Sequence, residues 1–326
     1  MDKAYYENCR LCPRNCGVNR NLQKGVCGCG STLKAARAGL HYYEEPFLSG
    51  INGSGTVFFT GCSLRCIYCQ NGQISLDQYG FEISAERLAE IFLEQQDRKA
   101  HNINLVTGTH FTPSIAKALS LAKSNGLQIP VVWNSSGYEK PEVLEILDGL
   151  VDIFMPDFKT LSSELGLKYM KAPDYPEWAK KSLDFMVKSI GPAVFEETPE
   201  SAVLMESDAQ PYEGENEMMR RGVIVRHLVI PGQSEDSKAI LKYLFETYGD
   251  KIWISLMSQY TPFGKFQKAE EADTKYRELY HKLSRKEYDE LVDYAIDLGI
   301  EQCMIQEEDV ASESFIPVFD GTGIIK

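Results

Sequence analysis

Cys62, Cys66 and Cys69 are the residues best able to do chemistry. They stand in the run Gly61-Cys62-Ser63-Leu64-Arg65-Cys66-Ile67-Tyr68-Cys69-Gln70-Asn71. Thiolates spaced C-x3-C-x2-C suit a 4Fe–4S cube, because iron in such clusters prefers soft sulfur ligands. Three thiolates on four irons leave one iron with an open position, which separates a reactive metal centre from a structural one. A structural zinc needs a fourth ligand nearby, and neither Cys nor His follows Cys69 before His101. Five further cysteines, Cys9, Cys12, Cys16, Cys27 and Cys29, fall within the first 29 residues, and Cys303 stands alone. Clustered cysteines in an intracellular chain point to metal or redox chemistry before disulfides. Cys9, Cys12, Cys16 and Cys27 read as a second metal site, zinc or iron–sulfur, stapling a segment too short for its own core. Cys303 reads as a core residue.

An α/β barrel would place the triad where ligands bind, at the carboxyl ends of strands. Short β-branched and aromatic runs at 56–61, 103–108, 130–137, 152–159, 222–230 and 251–257 read as strands. Amphipathic stretches at 84–99, 113–124, 141–150, 174–190 and 234–248 read as helices, several opening on Pro, Ser or Asp. In the first, the box Ser-Ala-Glu-Arg starts a helix with Leu88, Ile91 and Phe92 on one face. The alternation predicts a partial (β/α)6 TIM-like barrel of parallel strands, apolar on both faces, with a small Cys-rich N-terminal metal-binding segment. The expected division is 1–50 for that segment, 51–265 for the barrel and 266–326 for a C-terminal extension with a helix at 285–298 and a strand at 302–306. The acidic stretch 195–222 reads as an inserted surface loop.

The net charge of −13 is uneven: residues 1–40 carry +5, which leaves −18 on the remainder. An acidic body argues against general nucleic-acid affinity. The positive head suits bound thiolates better than a nucleic-acid finger, since no aromatics interleave its arginines. No signal peptide and no run of 18 apolar residues is visible, so a cytoplasmic protein without a membrane span is expected.

The run TGCSLRCIYCQN resembles the signature of the radical S-adenosylmethionine (SAM) superfamily, and its pyruvate formate-lyase-activating-enzyme-like branch in particular, which puts an aromatic, here Tyr68, before the third Cys. MPDFK, RHLVIPG and MSQYTPFGK look like later strands of that branch, and the similarity spans roughly residues 5–320. The resemblance implies that the open iron chelates SAM and that the reduced cluster cleaves the C5′–S bond. The resulting deoxyadenosyl radical takes a hydrogen atom from substrate. It also implies anaerobic work and a flavodoxin- or ferredoxin-type reductant.

The family's Gly-Gly-Glu for the SAM amino group is represented here by Thr107-Gly108-Thr109-His110 without the Glu, so Thr109, His110 or the Gly108 backbone substitutes. Asn134 and Ser135 take the place of ribose ligands, with a plain Asn-Ser-Ser-Gly turn as the alternative. Alternation puts Asp157 and Lys159 on one face. The family reading sets Lys159 on SAM, and Asp157 with Asn134, Ser135 and the Met155 carbonyl round a monovalent cation; an Asp–Lys ion pair is the alternative. Arg226 suits the SAM carboxylate or a strand-end ion pair. Ser258, Gln259 and Tyr260 stand where substrate should sit. The resemblance favours generation of a glycyl radical on a partner enzyme. A radical SAM enzyme for a small molecule or peptide is the second reading, and a non-catalytic iron–sulfur carrier or nucleic-acid-binding protein the third.

Overall fold

Parallel strands buried on both faces need to be apolar throughout, and this requirement shapes the centre of the molecule. The computed structural model describes residues 3–197, 217–268, 273–306 and 317–325. Its sheet contains β1 (Lys34–His41), β2 (Ser54–Phe59), β3 (Phe81–Glu82), β4 (Ile103–Val106), β5 (Val131–Ser135), β6 (Ile153–Pro156), β7 (Val194–Glu197), β8 (Glu217–Leu228), β9 (Trp253–Met257) and β10 (Cys303–Ile305). The order is β10-β9-β8-β6-β5-β4-β2-β1-β3, with β7 paired to β8. From β2 through β10 the neighbours along this path are parallel, whereas β1, β3 and β7 pair antiparallel. β10 and β3 end the path, so the barrel is partial, as expected. Every residue of β2, β4, β5 and β6 is buried.

Helices fill the crossovers. In Ala85–Asp97 the Ser84 hydroxyl accepts from the Arg87 N–H at 3.1 Å, and Leu88, Ile91 and Phe92 face the core. Thr112–Ser124, Tyr175–Ile190, Ser234–Tyr248 and Arg285–Asp297 follow the expected spans closely. Ser284 and Glu287 close a full capping box on the last of these. Val131 and Trp133 face the helix layer with Ile115 and Leu119, whereas Val132 faces the barrel interior with Ile153, Met155 and Ile224. Phe47, Leu48 and Met219 join the inner set. Each such apolar side chain contributes about 1.5–3 kcal/mol on full burial. No helix among the described residues is long and apolar enough to cross a membrane.

Three features depart from the sequence expectation. The stretch 1–50 contributes a strand: β1 pairs along β2, with Ala38 opposite Val57, so the Cys-rich head is continuous with the barrel sheet. The C-terminal residues return to the same strand, with Gly321 N–H on the Ala36 carbonyl and Ala38 N–H on that of Thr322. The borders of the acidic stretch 195–222 are not loop but a hairpin, β7 with β8, in which Phe195 faces Met219; residues 198–216 lie outside the described residues.

After β5 the chain turns through Gly137 at φ +71°, and a β-carbon there would run into the Asp157 carbonyl. Gly149 has a similar φ of +68° but open space around it. Gly149→Ala is therefore expected to cost only the left-handed backbone penalty, about 1–2 kcal/mol. Gly137→Ala should cost that plus an overpacking penalty of about 1–3 kcal/mol. Urea denaturation of the two variants measures the difference, and equal losses would show that the turn does not press on β6.

Candidate active site

The triad sits on a loop that leaves β2 through Gly61, held at φ +84°. No regular element satisfies this loop, so its backbone groups find partners elsewhere. Gly61 N–H donates to the Ile74 carbonyl at 2.8 Å, Cys62 N–H to that of Cys27 at 3.2 Å, and Ile67 N–H to that of Tyr169 at 2.9 Å. Arg14, between Cys12 and Cys16, binds the loop's own carbonyls. Its Nε donates to the Ser63 oxygen and Nη2 to the Leu64 oxygen, both at 2.9 Å. Nη2 and Nη1 also reach the carbonyls of Met170 at 2.7 Å and Lys171 at 2.5 Å. The N-terminal head thereby grips the cysteine loop directly.

Cys62 and Cys66 are buried and Cys69 is half-buried; all three are free thiols. Burial pushes each thiol above its ordinary range, and the positive charge of Lys159 opposes that shift at all three. Cys62 Sγ accepts from the Leu64 N–H at 3.4 Å and Cys69 Sγ from the Ser75 hydroxyl at 3.2 Å. Such hydrogen bonds tune a cluster's potential. Two buried sulfurs and a half-buried one, two of them with hydrogen-bond donors and all three within the field of Lys159, fit a three-thiolate iron–sulfur cube.

A narrow recess of about 10 Å³ opens beside the loop, lined by Tyr68, Lys159, Tyr169, His227, Leu228 and Ile230 among others. Tyr68 meets Tyr169 and Tyr260 edge to face at 5.7 and 6.4 Å. The aromatic and aliphatic walls suit a flat, partly apolar ligand.

Behind the cleft runs a chain of charges. Lys159 Nζ lies 2.9 Å from Asp157 Oδ2, and Arg226 Nε lies 3.2 Å from Asp157 Oδ1. Arg226 continues through Nη2 to Asn134 Oδ1 at 2.7 Å and through Nη1 to Glu44 at 3.3 Å. The Asp157–Lys159 ion pair, the alternative reading of these residues, is present. Of the residues expected round a cation, Asp157 and Asn134 direct side-chain oxygens to the guanidinium of Arg226. Arg226 in turn has its three nitrogens on protein acceptors rather than turned to a ligand carboxylate.

The Ser135 hydroxyl donates to Glu139 at 2.5 Å. Glu139 is a buried carboxylate that also accepts from Thr109 Oγ1 at 2.8 Å and Trp133 Nε1 at 2.9 Å. It brings an acid to the strand end where the motif Gly108-Thr109-His110 lacks one, from six residues beyond Trp133. Gly108 packs with its Cα against Trp133 and Ile115. His110 points the other way, its Nε2 2.8 Å from the Thr60 carbonyl.

Sequence reasoning missed Arg14, Glu139 and Glu44, and only Arg14 carried a signal, its place between two candidate ligands. The four head cysteines are brought together: burial raises Cys12 to about 12, and Cys27, Cys9 and Cys16 push it the same way. Among the described residues no three His, Cys, Asp or Glu side chains close to the spacing of a single ion, a condition the Cys62 triad shares.

Burial would raise the Asp157 carboxyl, but Lys159 and Arg226 together outweigh it and hold it below its ordinary 3.8. A depressed carboxyl contributes stability that is present above the unfolded value and lost as pH falls through the folded one. Asp157→Asn should cost about 3 kcal/mol at pH 7 by leaving the buried Lys159 unpaired and Arg226 with Glu44 as its remaining carboxylate. The gap to the parent should narrow as pH falls from 3.8 through the depressed folded value, where the parent loses the same charge. Denaturant titrations at pH 7 and at steps descending below pH 3.8 test both signs.

Residues 56–195 match the model described as the Radical SAM superfamily. A protein of Methanocaldococcus jannaschii of uncharacterised function is 27% identical over 293 residues, 87% of this chain and 74% of that one. Two crystal structures of SuiB from Streptococcus suis, one bound to S-adenosylmethionine and one to the precursor peptide SuiA, align at 13% and 12% identity with TM-scores of 0.46 and 0.44. They cover 76% and 72% of this chain but 48% and 43% of their own, so the chain spans about half the length of those structures. The stretch that matches the radical SAM model, residues 56–195, carries the thiol triad and the strands β2, β4, β5 and β6 around it.

Proposed function

We propose that this chain is a radical SAM enzyme that takes a hydrogen atom from its substrate, with a glycine of a partner protein as that substrate. The observation that carries the reading is the buried triad beside an aromatic cleft that Lys159 enters. The cluster, when bound, supplies the electron that splits the C5′–S bond of SAM. Cys62, Cys66 and Cys69 hold it. Tyr68, Tyr169, Leu228 and Ile230 supply walls for the adenine and keep water from the reacting end. Burial opposes the charge of Lys159, but Asp157, Cys66, Tyr68 and Tyr175 together outweigh it and keep it charged, and it faces the anionic groups of the ligand. Glu139, reached through Thr109, is the acid available on the side of the SAM amino group. The partner reading rests on the runs around Asp157, Arg226 and Tyr260 and on a barrel left open between β3 and β10. Electrons come from a flavodoxin- or ferredoxin-type donor, and Cys9, Cys12, Cys16 and Cys27 form a second metal site.

Two measurements follow. Lys159→Ala should weaken SAM binding by one to two decades, the equivalent of a charge-assisted hydrogen bond of about 1.5–3 kcal/mol, while sparing iron content. Reduced protein mixed with SAM and a candidate glycyl radical enzyme should give a glycyl doublet in electron paramagnetic resonance. Deuterium appearing in 5′-deoxyadenosine from a labelled small molecule or peptide, with no doublet, would reassign the substrate.

A further inference from the structure

The peptides that follow Cys62 turn their two edges to different partners. The Ser63 carbonyl accepts from Arg14 Nε and the Leu64 carbonyl from Arg14 Nη2, both at 2.9 Å. A trans peptide points its N–H opposite to its C=O. The plane whose carbonyl, on Ser63, lies on Arg14 therefore sends the N–H of Leu64 the other way, and that N–H donates to Cys62 Sγ at 3.4 Å. The next plane repeats the arrangement. Its carbonyl, on Leu64, lies on Arg14, and its N–H, on Arg65, is a second backbone donor to the same sulfur. Successive N–H groups turned to one side form a concavity suited to an electron-rich atom.

This conformation needs an external hold. Arg65 stands at φ +58°, in the left-handed region that costs any residue with a β-carbon. Such strain persists where the surroundings over-determine it. Arg14 is well placed to do so, because it is itself fixed on every side. The turn Cys12-Pro13-Arg14-Asn15 presents it, closed by the Asn15 N–H on the Cys12 carbonyl at 3.1 Å, and proline suits the second position of such a turn. Lys140 Nζ donates to Asn15 Oδ1 at 2.6 Å. The guanidinium also donates to the carbonyls of Met170 and Lys171, at the end of the helix Ser163–Met170, where carbonyls lack partners within the helix. Its Cζ lies 5.3 Å from the centroid of the Tyr138 ring. Holding carbonyls of two segments at once calls for the rigid fork of a guanidinium, which an ammonium lacks. The same helix end carries Tyr169, whose carbonyl takes the Ile67 N–H at 2.9 Å and whose ring lines the recess with Tyr68.

We infer that Arg14 is a positioning residue for the cluster site: it holds the two peptides after Cys62 so that both N–H groups face its sulfur, and it thereby raises the reduction potential of a cluster bound there. Hydrogen bonds to a cluster's sulfurs favour the reduced form, whose added negative charge they meet. Arg14 acts through the backbone of Ser63, Leu64 and Arg65 and touches neither cluster nor substrate. The inference rests on the reading of Cys62, Cys66 and Cys69 as the cluster ligands.

The test compares the full-length parent with Arg14→Gln and Arg14→Lys, each checked for folding by circular dichroism. Lysine keeps the charge and loses the fork. In the cluster-free protein, amide exchange over residues 63–69 should be about tenfold faster in both variants than in the parent. After reconstitution without oxygen, both variants should bind as much iron as the parent and titrate at a lower potential. The expected shift is about tenfold in the reduction equilibrium, or about 59 mV for one electron. Unchanged exchange in both variants would overturn the clamp. Faster exchange with an unchanged potential would make Arg14 a structural staple only and overturn the tuning. A lysine variant equal to the parent in both measurements would show that charge acts rather than the fork, and would overturn the inference as well. A parent that takes up no iron would instead overturn the cluster-site reading and the tuning with it, while the exchange data still decide on the clamp.

Discussion

A loop without regular structure that buries three thiols must have its backbone groups satisfied from outside, and the rest of the site depends on how this is done. The loop from Gly61 to Asn71 draws on four distant segments. Ile74 and Tyr169 take its N–H groups, Cys27 takes the N–H of Cys62, and Arg14 takes its carbonyls. Two of these four belong to the Cys-rich head. The head therefore acts as part of the cysteine loop's scaffold rather than as an appended module, and β1 anchors it in the sheet beside β2.

The second constraint is charge in the barrel. Two cations, Lys159 and Arg226, face Asp157 and Glu44 across a part-buried interior, which is costly unless every group is paired. Pairing fixes the ends of β6 and β8 relative to each other, reinforced by the bridge of Asp157 with Arg226 in the strand ladder. Oxygens of Asp157 and Glu44 lie on the Arg226 guanidinium, and Lys159 is left as the charge that reaches the cleft.

Most of the fold was legible because its code is local. The parallel strands are continuous apolar runs, and Ser84 and Ser284 mark helix starts. β1 escaped notice because KAARAGLH has little β-branched content; its strand character comes from pairing with β2 and with residues near the C-terminus. The helix Ser163–Met170, with Gly166 in its middle, was missed for a similar reason. In the site, the cysteine spacing and the Asp157–Lys159 alternation were legible. Glu139, Glu44 and the commitment of Arg226 to protein acceptors were not, because each depends on contacts between segments far apart in the chain or on a turn whose path sequence does not reveal.

The central claim is that the Cys62, Cys66 and Cys69 site performs one-electron cleavage of SAM. The most direct measurement quantifies products when the reduced protein is incubated with SAM without oxygen, beside a variant with the three cysteines changed to Ala. The account predicts 5′-deoxyadenosine and methionine in equal amounts from the parent and neither from the variant. Intact SAM with the iron-replete parent, or equal cleavage by the variant, would contradict it.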